Sequence, residues 1–573
     1  MKNKIFSKII YGIVGLVGIA GCSIEPTYYS EVVPSTFYSS QQNVWQRFYR
    51  PFTHWRWYEA SSVYKWDLQE FGTDEVCLPT RGSDWLNGGI YQQVHHHVFT
   101  PDLGDVYNGW YGFSMGVALS WDALQDINKY VDFKALKFPE GTKESMETQL
   151  QTLVASFYLD GLDLFGGLPL YTSTNSNLKP RSTAQETFNF IDSLLNISIP
   201  NLPVKTTLGA MENGSINRAA GAALKARLYF NAKAYIGKDM FQECADICQD
   251  IIDGKYGKYA LATDWTNIFG FNNETCPEII WSVPSQNAFL ENDGLYSRWQ
   301  HYNTYKFLGS IDQEKGNNGM CLVPSLEPNG TNYKDDPKYG YKLGGAYAKF
   351  NSADVRKQPY VYLGSGKYRG MFIVGKLVNP VDGGTCTGSR EYKGKTITMV
   401  DQVSYFKQLG TTAYPTVNDL PSTVATAEEN SGVRLMKLSP MPNLTDRLLR
   451  CNPDIPVIRL SEIYYMLAEC KLRLGYPDVA ANLIETVRKR YFANGVDPNP
   501  VTKDNLDEYR MLDEWMEEFV GEGRRRTDLI RWGAYTTEAW WDHTPDNNSN
   551  LNRYPVPTLI MSSNNLLEQN PGY

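Results

Sequence analysis

The chain has 573 residues, of which 42% are hydrophobic and 21% charged, so it can bury a sizeable core and is not a disordered polymer. Its formal net charge is −8 and it has no long basic run, which argues against nucleic acid as a partner. Aromatic residues make up 13% of the chain, and the flat apolar face and polar group of Tyr and Trp suit binding surfaces.

The first 21 residues have the pattern of a secretory signal peptide. A positively charged start is followed by an apolar stretch that is too short for a transmembrane span. Small residues then precede Cys22, an arrangement that resembles a bacterial lipobox. We expect Cys22 to become an acylated N-terminus that anchors the protein, with residues 22–40 as a tether, because several acyl chains hold a protein at a membrane. The alternative is an ordinary secretory signal beside an incidental cysteine.

Helical periodicity begins after the tether. Apolar residues recur every three or four positions over residues 113–124 and again over residues 150–157, which predicts a helix in each block. Residues 217–252 predict two further helices. The break between them is expected at 237–239, where a glycine is followed by two polar residues.

A helical hairpin is predicted near the C-terminus. Apolar positions between 460 and 474 form one stripe, and Val479, Leu483 and Val487 form the stripe of a second helix. Glycine and proline in the turn at 475–478 supply a helix stop and a helix start. Two antiparallel helices in about 34 residues resemble a tetratricopeptide unit. The two predicted helical pairs, at 217–252 and near the C-terminus, are far apart in the sequence, so they predict an interrupted helical scaffold.

Residues 276–456 have a different composition. They are rich in Gly, Pro, Asn and Tyr and contain few helical stripes. Strand-like pieces at 371–378 and 396–400 predict small β-hairpins between long loops. Long loops on a rigid scaffold commonly carry function.

Short motifs occupy the C-terminal third in a specific order and spacing. They are IRLSEIY at 458–464, LAE at 467–469, VRKR at 487–490, EFVGEGRRRTDLIRWG at 518–533, YPVP at 554–557 and QNPGY at 569–573. Earlier pieces are DLFGGLPL at 163–170, WTNIF at 265–269 and EIIW at 278–281. In this combination the sequence resembles the SusD/RagB family over nearly the whole mature chain.

The resemblance implies a mostly α-helical fold. Tetratricopeptide-like hairpins would form the scaffold, and a loop-rich, irregular face would carry short β-hairpins. Residues 41–573 would then be a single SusD-like domain. Its parts would be an N-terminal helical part (41–275), a loop-rich insertion (276–456) and a C-terminal part (457–573).

The resemblance also implies a lipoprotein of the Bacteroidetes outer membrane that faces the exterior. Its partner would be a SusC-like TonB-dependent transporter, to which it would deliver oligosaccharides. Some branches of the family take peptides, and the sequence leaves that alternative open. A surface-anchored glycosidase and a helical scaffold without a ligand are two further alternatives.

Motifs that carry catalytic chemistry give little support for an enzyme. We expect Glu518, Glu522 and the arginines at 524–526 to form exposed or half-buried ion pairs that fix the C-terminal helix, with Trp532 as its apolar anchor. The GKT run at 394–396 lacks the first glycine of a phosphate-binding loop, and no HExxH motif occurs. A glycosidase needs two carboxylates beside a cleft, and no pattern marks such a pair. We therefore expect a protein that is not an enzyme and has no cofactor.

The histidines at 95–97 are the clearest metal candidate, because alternate residues of a strand share one face and a His-x-His pair can bind zinc. The other histidines, His54, His301 and His543, are isolated in the sequence. We therefore expect histidines that are structural or lie at the edge of a ligand site, and no metal site.

Two stretches, residues 81–91 and 296–302, combine aromatic and polar residues as a sugar site requires. Aromatic rings cover the apolar C–H faces of sugars, while Arg, Asp and Asn bond the hydroxyls in fixed directions. In SusD-like proteins the glycan site comes from loops in comparable parts of the chain. The candidate ligand-binding residues are Arg81, Asp84, Trp85, Asn87, Tyr91, Tyr296, Trp299 and Tyr302.

We expect Trp85 and Trp299 to stack on sugar rings, and Arg81, Asp84 and Asn87 to bond hydroxyls. The alternative is that these aromatic side chains pack the helical scaffold.

Overall fold

The computed structural model describes most of the chain from residue 34 onwards. The described ranges are 34–62, 64–174, 176–210, 214–286, 294–303, 307–308, 316–379, 383–404, 422–439, 441–442, 449–450 and 452–573. The predicted signal peptide and the acylation site at Cys22 lie outside these residues. None of the helices in the described ranges combines the length and apolar character that a membrane span needs.

Helices dominate the described residues. They are α1 (Pro34–Phe37), α2 (Gln41–Arg56), α3 (Tyr64–Glu70), α4 (Ile90–His95), α5 (Gly104–Tyr130), α6 (Thr142–Phe165), α7 (Ala184–Ser198), α8 (Arg218–Phe230), α9 (Ala232–Ile236), α10 (Phe241–Ile252), α11 (Thr266–Phe269), α12 (Gly294–Trp299), α13 (Ala346–Lys349), α14 (Leu460–Arg473), α15 (Pro477–Arg488), α16 (Glu508–Phe519), α17 (Arg525–Trp532) and α18 (Thr558–Ser563).

The strands are short and pair in twos, always antiparallel. They are β1 (Val76–Cys77) with β3 (Cys321–Leu322), β2 (Ile279–Val283) with β12 (Ile455–Arg459), β4 (Val361–Gly364) with β5 (Lys367–Arg369), β6 (Phe372–Ile373) with β9 (Arg434–Leu435), β7 (Gly375–Lys376) with β8 (Thr398–Met399), and β10 (Met441–Pro442) with β11 (Leu449–Arg450). The sequence prediction of small hairpins within 276–456 is confirmed.

Several helices begin where the sequence supplies a capping side chain. Ser40 caps α2 and Asn217 caps α8, and each accepts a hydrogen bond from the backbone N–H three residues further on. At α7, Thr183 and Glu186 form a reciprocal capping box. The break predicted at 237–239 separates α9 from α10.

The helices pack against one another as a series of neighbours. Helix α5 packs on α6 and α6 on α7, while α8 packs on α10, and α10 on α14, which forms a hairpin with α15. Glycine permits the closest of these approaches. A Cβ atom at Gly116 of α5 would lie 2.3 Å from the ring of Phe157 on α6. The core of this scaffold includes Trp55 stacked on Trp281, with ring centroids 4.2 Å apart.

Two details differ from the sequence prediction. In α15 the buried stripe is Ala480, Ile484 and Val487, whereas Val479 is 44% exposed. The small side chain of Ala480 allows close packing, so the larger valine faces solvent. The tether was expected to extend to residue 40, yet Tyr38 is buried, and its Oη donates to Asp126 at 2.8 Å.

Carboxylates near the start of the domain hold the turn that follows α16. Glu75 accepts a hydrogen bond from the N–H of Gly521 at 2.6 Å. Glu70 accepts one from the N–H of Gly523 at 2.7 Å. We call the contact between residues 70–75 and residues 521–525 the terminal junction, because it joins the two ends of the folded domain.

A buried ion pair completes the terminal junction. Arg525 donates to both oxygens of Asp74, at 2.7 and 2.9 Å, and the two side chains are 1% and 0% exposed. Burial alone would raise the pKa of Asp74, but the guanidinium of Arg525 holds it below its usual range.

The predicted ion pairs around residues 518–526 are present, but several are deeper than expected. Glu518 is 1% exposed and contacts Arg459 and Arg490. Burial alone would raise the pKa of Glu518, but these two guanidinium groups hold it well below its usual range. Trp532 is half-buried and lies under the guanidinium of Arg473, which is 3.6 Å from its ring centre.

We expect the substitution Arg525→Met to lower the free energy of unfolding by roughly 3–5 kcal/mol, because it leaves the Asp74 carboxylate buried without its cation. Urea unfolding of the purified protein measures the loss. Lys143→Met is the control, since Lys143 belongs to a surface pair and is 43% exposed. That substitution should change stability by less than about 0.5 kcal/mol. Equal effects of the two substitutions would show that the terminal junction contributes no special stability.

Candidate functional site

The first candidate stretch forms a tight turn between β1 and α4. Arg81 and Asp84 exchange two backbone hydrogen bonds of 3.0 Å. Trp85 and Asn87 then take φ angles of 60° and 40°, in the left-handed region. A bulky residue is strained there, and such strain concentrates at functional sites. The indole of Trp85 is half-buried, and its Nε1 donates to the backbone oxygen of Asn317 at 2.9 Å.

Arg298, on α12, supports the aromatic rings of this turn. Its guanidinium lies 5.8 Å from the ring centre of Trp85 and 5.9 Å from that of Tyr91. The same guanidinium pairs with the buried carboxylate of Asp67 at 2.7 Å. Because Arg298 is only 5% exposed, it contacts the half-buried rings from the interior and leaves part of each ring to solvent.

The second candidate stretch meets the first at Asp84. The hydroxyl of Tyr302 donates to the Asp84 carboxylate, which also forms an ion pair with Arg390. The guanidinium of Arg390 lies 5.4 Å from the ring centre of Tyr302. The side chains of Arg390 and Asp84 are 36% and 26% exposed, so a ligand can reach both. Three loops therefore contribute to one surface.

We call this surface the Trp85 face. Its residues are Asp84, Trp85, Asn87, Tyr91, Tyr302 and Arg390.

A buried carboxylate fixes the loop that carries Arg390. Glu429 accepts hydrogen bonds from the backbone N–H groups of Ser389, Arg390 and Tyr392, and it contacts Nε2 of His301 at 2.8 Å. Burial alone would raise the pKa of Glu429, but the bond to His301 and the backbone N–H groups lower it. The position of Arg390 on the Trp85 face thus depends on a residue below the surface.

Arg81 does not reach the Trp85 face. Its side chain is 2% exposed, and the guanidinium donates to the backbone oxygens of Gly319, Glu428 and Ser431. The expectation that Arg81 bonds a ligand hydroxyl is therefore corrected, because its donors hold three segments of the chain together.

Trp299 also points away from the Trp85 face. Neighbouring residues of a helix diverge by about 100°, so Trp299 does not point towards the rings that Arg298 contacts. It is 6% exposed and lies edge-on to Trp66, with ring centroids 6.3 Å apart. The expected stacking of Trp299 on a sugar is corrected to a packing role. Tyr296 lies on the same helix, and its ligand role stays a prediction.

Trp299 lines a partly open cavity of about 180 Å³. Sites for drug-sized ligands occupy about 300–1,000 Å³, so this cavity is too small for an oligosaccharide. Its charged groups already have partners. Lys65 contacts Glu59 at 2.7 Å and Asp160 at 3.0 Å, and Arg227 contacts a buried glutamate. The cavity belongs to the scaffold.

The histidines at 95–97 end α4 and enter the following turn. They do not lie on a strand, which the shared face of a His-x-His pair would require. His543 is not isolated in space, because its ring centroid lies 4.3 Å from that of His97. This meeting joins two parts of the chain that are remote in sequence.

Residues 277–573, more than half of the chain, match the family model described as the SusD family. The chain belongs to the SusD family. The resemblance inferred from the C-terminal motifs is thereby confirmed.

Relatives and solved structures agree with this membership. The starch-binding protein SusD of Bacteroides thetaiotaomicron is 24% identical over 485 residues, which cover 78% of this chain and 77% of that protein. A SusD-like protein from Bacteroides fragilis has a similar structure, with a TM-score of 0.63 and 17% identity over 95% of this chain and 100% of that one. Surface glycan-binding protein A from Bacteroides thetaiotaomicron gives a TM-score of 0.63 and 16% identity, covering 93% and 100% of the two chains. The predicted helical SusD-like fold is confirmed.

Sequence reasoning missed Arg390 on the Trp85 face and Glu429 beneath it. Arg390 lies in the loop-rich region, where no periodicity marks an individual arginine. Glu429 is one of two adjacent glutamates, Glu428 and Glu429, and both are buried. A buried acidic pair in a loop is uncommon, but burial cannot be read from the sequence of such a loop.

We expect Glu429→Gln to lower the free energy of unfolding by about 1.5–3 kcal/mol at pH 7, because hydrogen bonds to a charged group are lost. The folded pKa of Glu429 is lowered, so its contribution is complete above the unfolded value of about 4.3 and is lost as pH falls through the folded value. The difference between the two proteins should therefore shrink below about pH 4.

Urea unfolding at a series of pH values measures this difference. Glu147→Gln, at a surface pair, is the matched control and should show no such trend. A stability difference that is unchanged between pH 7 and pH 3 would contradict the assigned role of Glu429.

Proposed function

We propose that this chain captures an oligosaccharide at the Trp85 face and delivers it to a TonB-dependent outer-membrane transporter. One observation carries the proposal. Half-exposed rings of Trp85, Tyr91 and Tyr302 lie beside the hydrogen-bonding groups of Asp84 and Arg390 on a single surface.

This arrangement matches the two needs of sugar recognition. An indole or phenol ring covers the apolar C–H face of a pyranose, and burial of that area is favourable by about 25 cal/mol per Å². Asp84 accepts hydrogen bonds and Arg390 donates them, so together they can bond hydroxyls of either orientation. Asn87 is exposed at the edge and offers both an acceptor and donors.

The groups are arranged for binding rather than for hydrolysis. Acid–base chemistry on a glycoside uses two carboxyl groups that exchange protons with the substrate. Asp84 instead accepts from Tyr302 and pairs with Arg390, and these contacts favour a fixed hydrogen-bond acceptor.

Two similar proteins support a glycan as the ligand. One is named as a starch-binding protein and the other as a surface glycan-binding protein. A peptide is the alternative ligand for such a surface, since aromatic rings and polar side chains also bind peptides. The two ligands are separated by direct binding tests.

Delivery to a transporter would require the protein to stay at the outer membrane. The lipobox-like sequence before Cys22 supports an acyl anchor, and the short segment up to Pro34 would leave the domain close to the membrane. An orientation towards the exterior would place the Trp85 face where extracellular glycans arrive.

We expect Trp85→Ala to weaken glycan binding at least tenfold. The substitution removes a ring whose contact with the sugar contributes about 1.5 kcal/mol to the free energy of binding. The purified protein is first tested against polysaccharides and oligopeptides by native-gel retardation and calorimetry, and the same mixtures are assayed for released sugar. Trp45→Ala is the matched control, because Trp45 is a 36% exposed indole on α2, outside the Trp85 face.

Unchanged glycan affinity in Trp85→Ala would reject the Trp85 face as the site. Binding of peptides alone would move the protein to the peptide-binding branch, and release of sugar would make it an enzyme.

We expect Cys22→Ser to move the protein from the membrane fraction to the soluble fraction, because the acylated side chain is removed. Cells that carry this variant should accumulate less of a labelled glycan, while the purified variant should keep its glycan affinity. Ser23→Ala is the control and should leave both location and uptake unchanged. A variant at Cys22 that stays in the membrane fraction would contradict the anchor.

A further inference from the structure

Three side chains that lie apart from the Trp85 face converge at the end of α4. They are His97 from the turn after α4, and His543 and Asp546 from the loop that follows α17. Each offers one ligand atom, and these atoms all lie within 4.8 Å of one another. The side chains of His97, His543 and Asp546 are 0%, 2% and 14% exposed, so the cluster is nearly enclosed.

The ring of His97 is oriented as a metal ligand requires. Its Nε2 contacts the backbone oxygen of Gly72 at 2.8 Å, and its Nδ1 faces Asp546 at 2.6 Å. A histidine that binds a metal with one nitrogen almost always donates the N–H of the other to a carbonyl or carboxylate. The Gly72 carbonyl therefore directs the free electron pair of Nδ1 towards the cluster.

His543 supplies an unpartnered nitrogen. Its Nε2 is buried and has no hydrogen-bond partner among the residues that the structure describes. The nearest carboxylate oxygen, on Asp546, is 3.7 Å away, beyond hydrogen-bond distance. A buried nitrogen without a partner costs free energy unless something binds it.

Packing fixes both imidazole rings in place. The ring of Trp540 stacks on His543 with centroids 3.9 Å apart, and the ring of Tyr535 stacks on His97 at 4.2 Å. A site whose ligands are held by their neighbours loses little conformational entropy when it binds an ion.

The distances suit a tetrahedral ion. Bond lengths of about 2.0–2.2 Å to nitrogen and oxygen place neighbouring ligand atoms roughly 3.3 Å apart. The observed separations from the Asp546 oxygen, 2.6 Å to His97 and 3.7 Å to His543, lie on either side of that value. Small rotations of the three side chains would equalise them. The partial exposure of Asp546, at 14%, leaves an entry path for the ion.

We propose that His97, His543 and Asp546 bind one Zn²⁺ ion, with water completing the tetrahedron. The ion would join the loop that carries Trp540 to the end of α4. Since α4 also carries Tyr91, the ion would stabilise the support of the Trp85 face without contacting a ligand there. This inference does not depend on the proposed glycan-binding function.

A neighbouring cluster fits an ion less well. It consists of His95, His96 and Asp542. The side chain of His96 is 40% exposed, and the Asp542 oxygen that it contacts already accepts a hydrogen bond from the backbone N–H of Val424 at 2.7 Å. This cluster therefore provides the matched control.

The test uses the purified full chain, stripped of metal with a chelator. Calorimetry with ZnCl₂ should give one ion per chain, and CoCl₂ should produce the intense visible absorption of tetrahedral Co²⁺. Asp546→Asn and His543→Gln should each weaken zinc binding by about 100-fold or more, since loss of a second-shell partner alone costs 10–100-fold. His96→Ala should leave zinc affinity and the cobalt spectrum unchanged. Circular dichroism checks the fold of each variant, and if His543→Gln does not fold, Asp546→Asn decides.

Three results would overturn the proposal. The first is that the folded, unaltered chain takes up no zinc. The second is that Asp546→Asn changes zinc affinity less than threefold. The third is that His96→Ala abolishes the binding, which would place the ion at the neighbouring cluster. The first of these results would leave His97 and Asp546 as a plain ion pair.

Discussion

The terminal junction is the contact on which the rest of the molecule depends. In it, the carboxyl groups of Glu75 and Glu70 accept hydrogen bonds from the backbone N–H groups of Gly521 and Gly523. These partners lie 446 and 453 residues further along the chain. Closing so long a loop costs conformational entropy, and burying a carboxylate costs solvation energy. Directed donors offset part of both costs, since Glu70 also accepts a hydrogen bond from the backbone N–H of Arg524. Asp74 receives two N–H groups from Arg525 and one from Gly344. A neutral core could bring the same segments together, but it would not fix their register so closely.

The order imposed at the junction extends to the Trp85 face. Strand β1 follows Glu75 directly and pairs with β3, so the segment before Cys321 lies beside the segment after Cys77. Arg81 then spans this region with bonds to Gly319 and Ser431. Its burial, which removes it from ligand contact, allows it to position the loops that carry Trp85 and Glu429. An arginine, a residue type that often contacts ligands, can therefore support a binding surface from the interior.

Helices were predictable where apolar residues recur at helical spacing over a long stretch of sequence. Helices α5 and α6 follow their apolar stripes closely, and the motif at 518–533 locates α17. Local chemistry was less informative where partners come from distant segments. Trp85 and Trp299 occur in similar polar surroundings in the sequence. Only the position of α12 against Trp66 decides that Trp299 is buried. His543 likewise has no sequence signal that points to His97, because the meeting of α4 and the loop after α17 is set by tertiary packing.

The openness of the Trp85 face is consistent with capture followed by release. A ligand enclosed in a cavity loses nearly all of its hydration and dissociates slowly, since differences in affinity arise mainly in the dissociation rate. Rings that are already half-buried by Arg298 offer one side only, so each contributes a fraction of its full contact energy. On the proposed function, several such contacts in a row would hold a long glycan through many weak interactions, each of which can be exchanged separately. A protein that hands its ligand to a transporter needs this property more than it needs high affinity at one point. The cavity beside Trp299 could not bind a long glycan in this way, because it is small and its charged side chains are already paired.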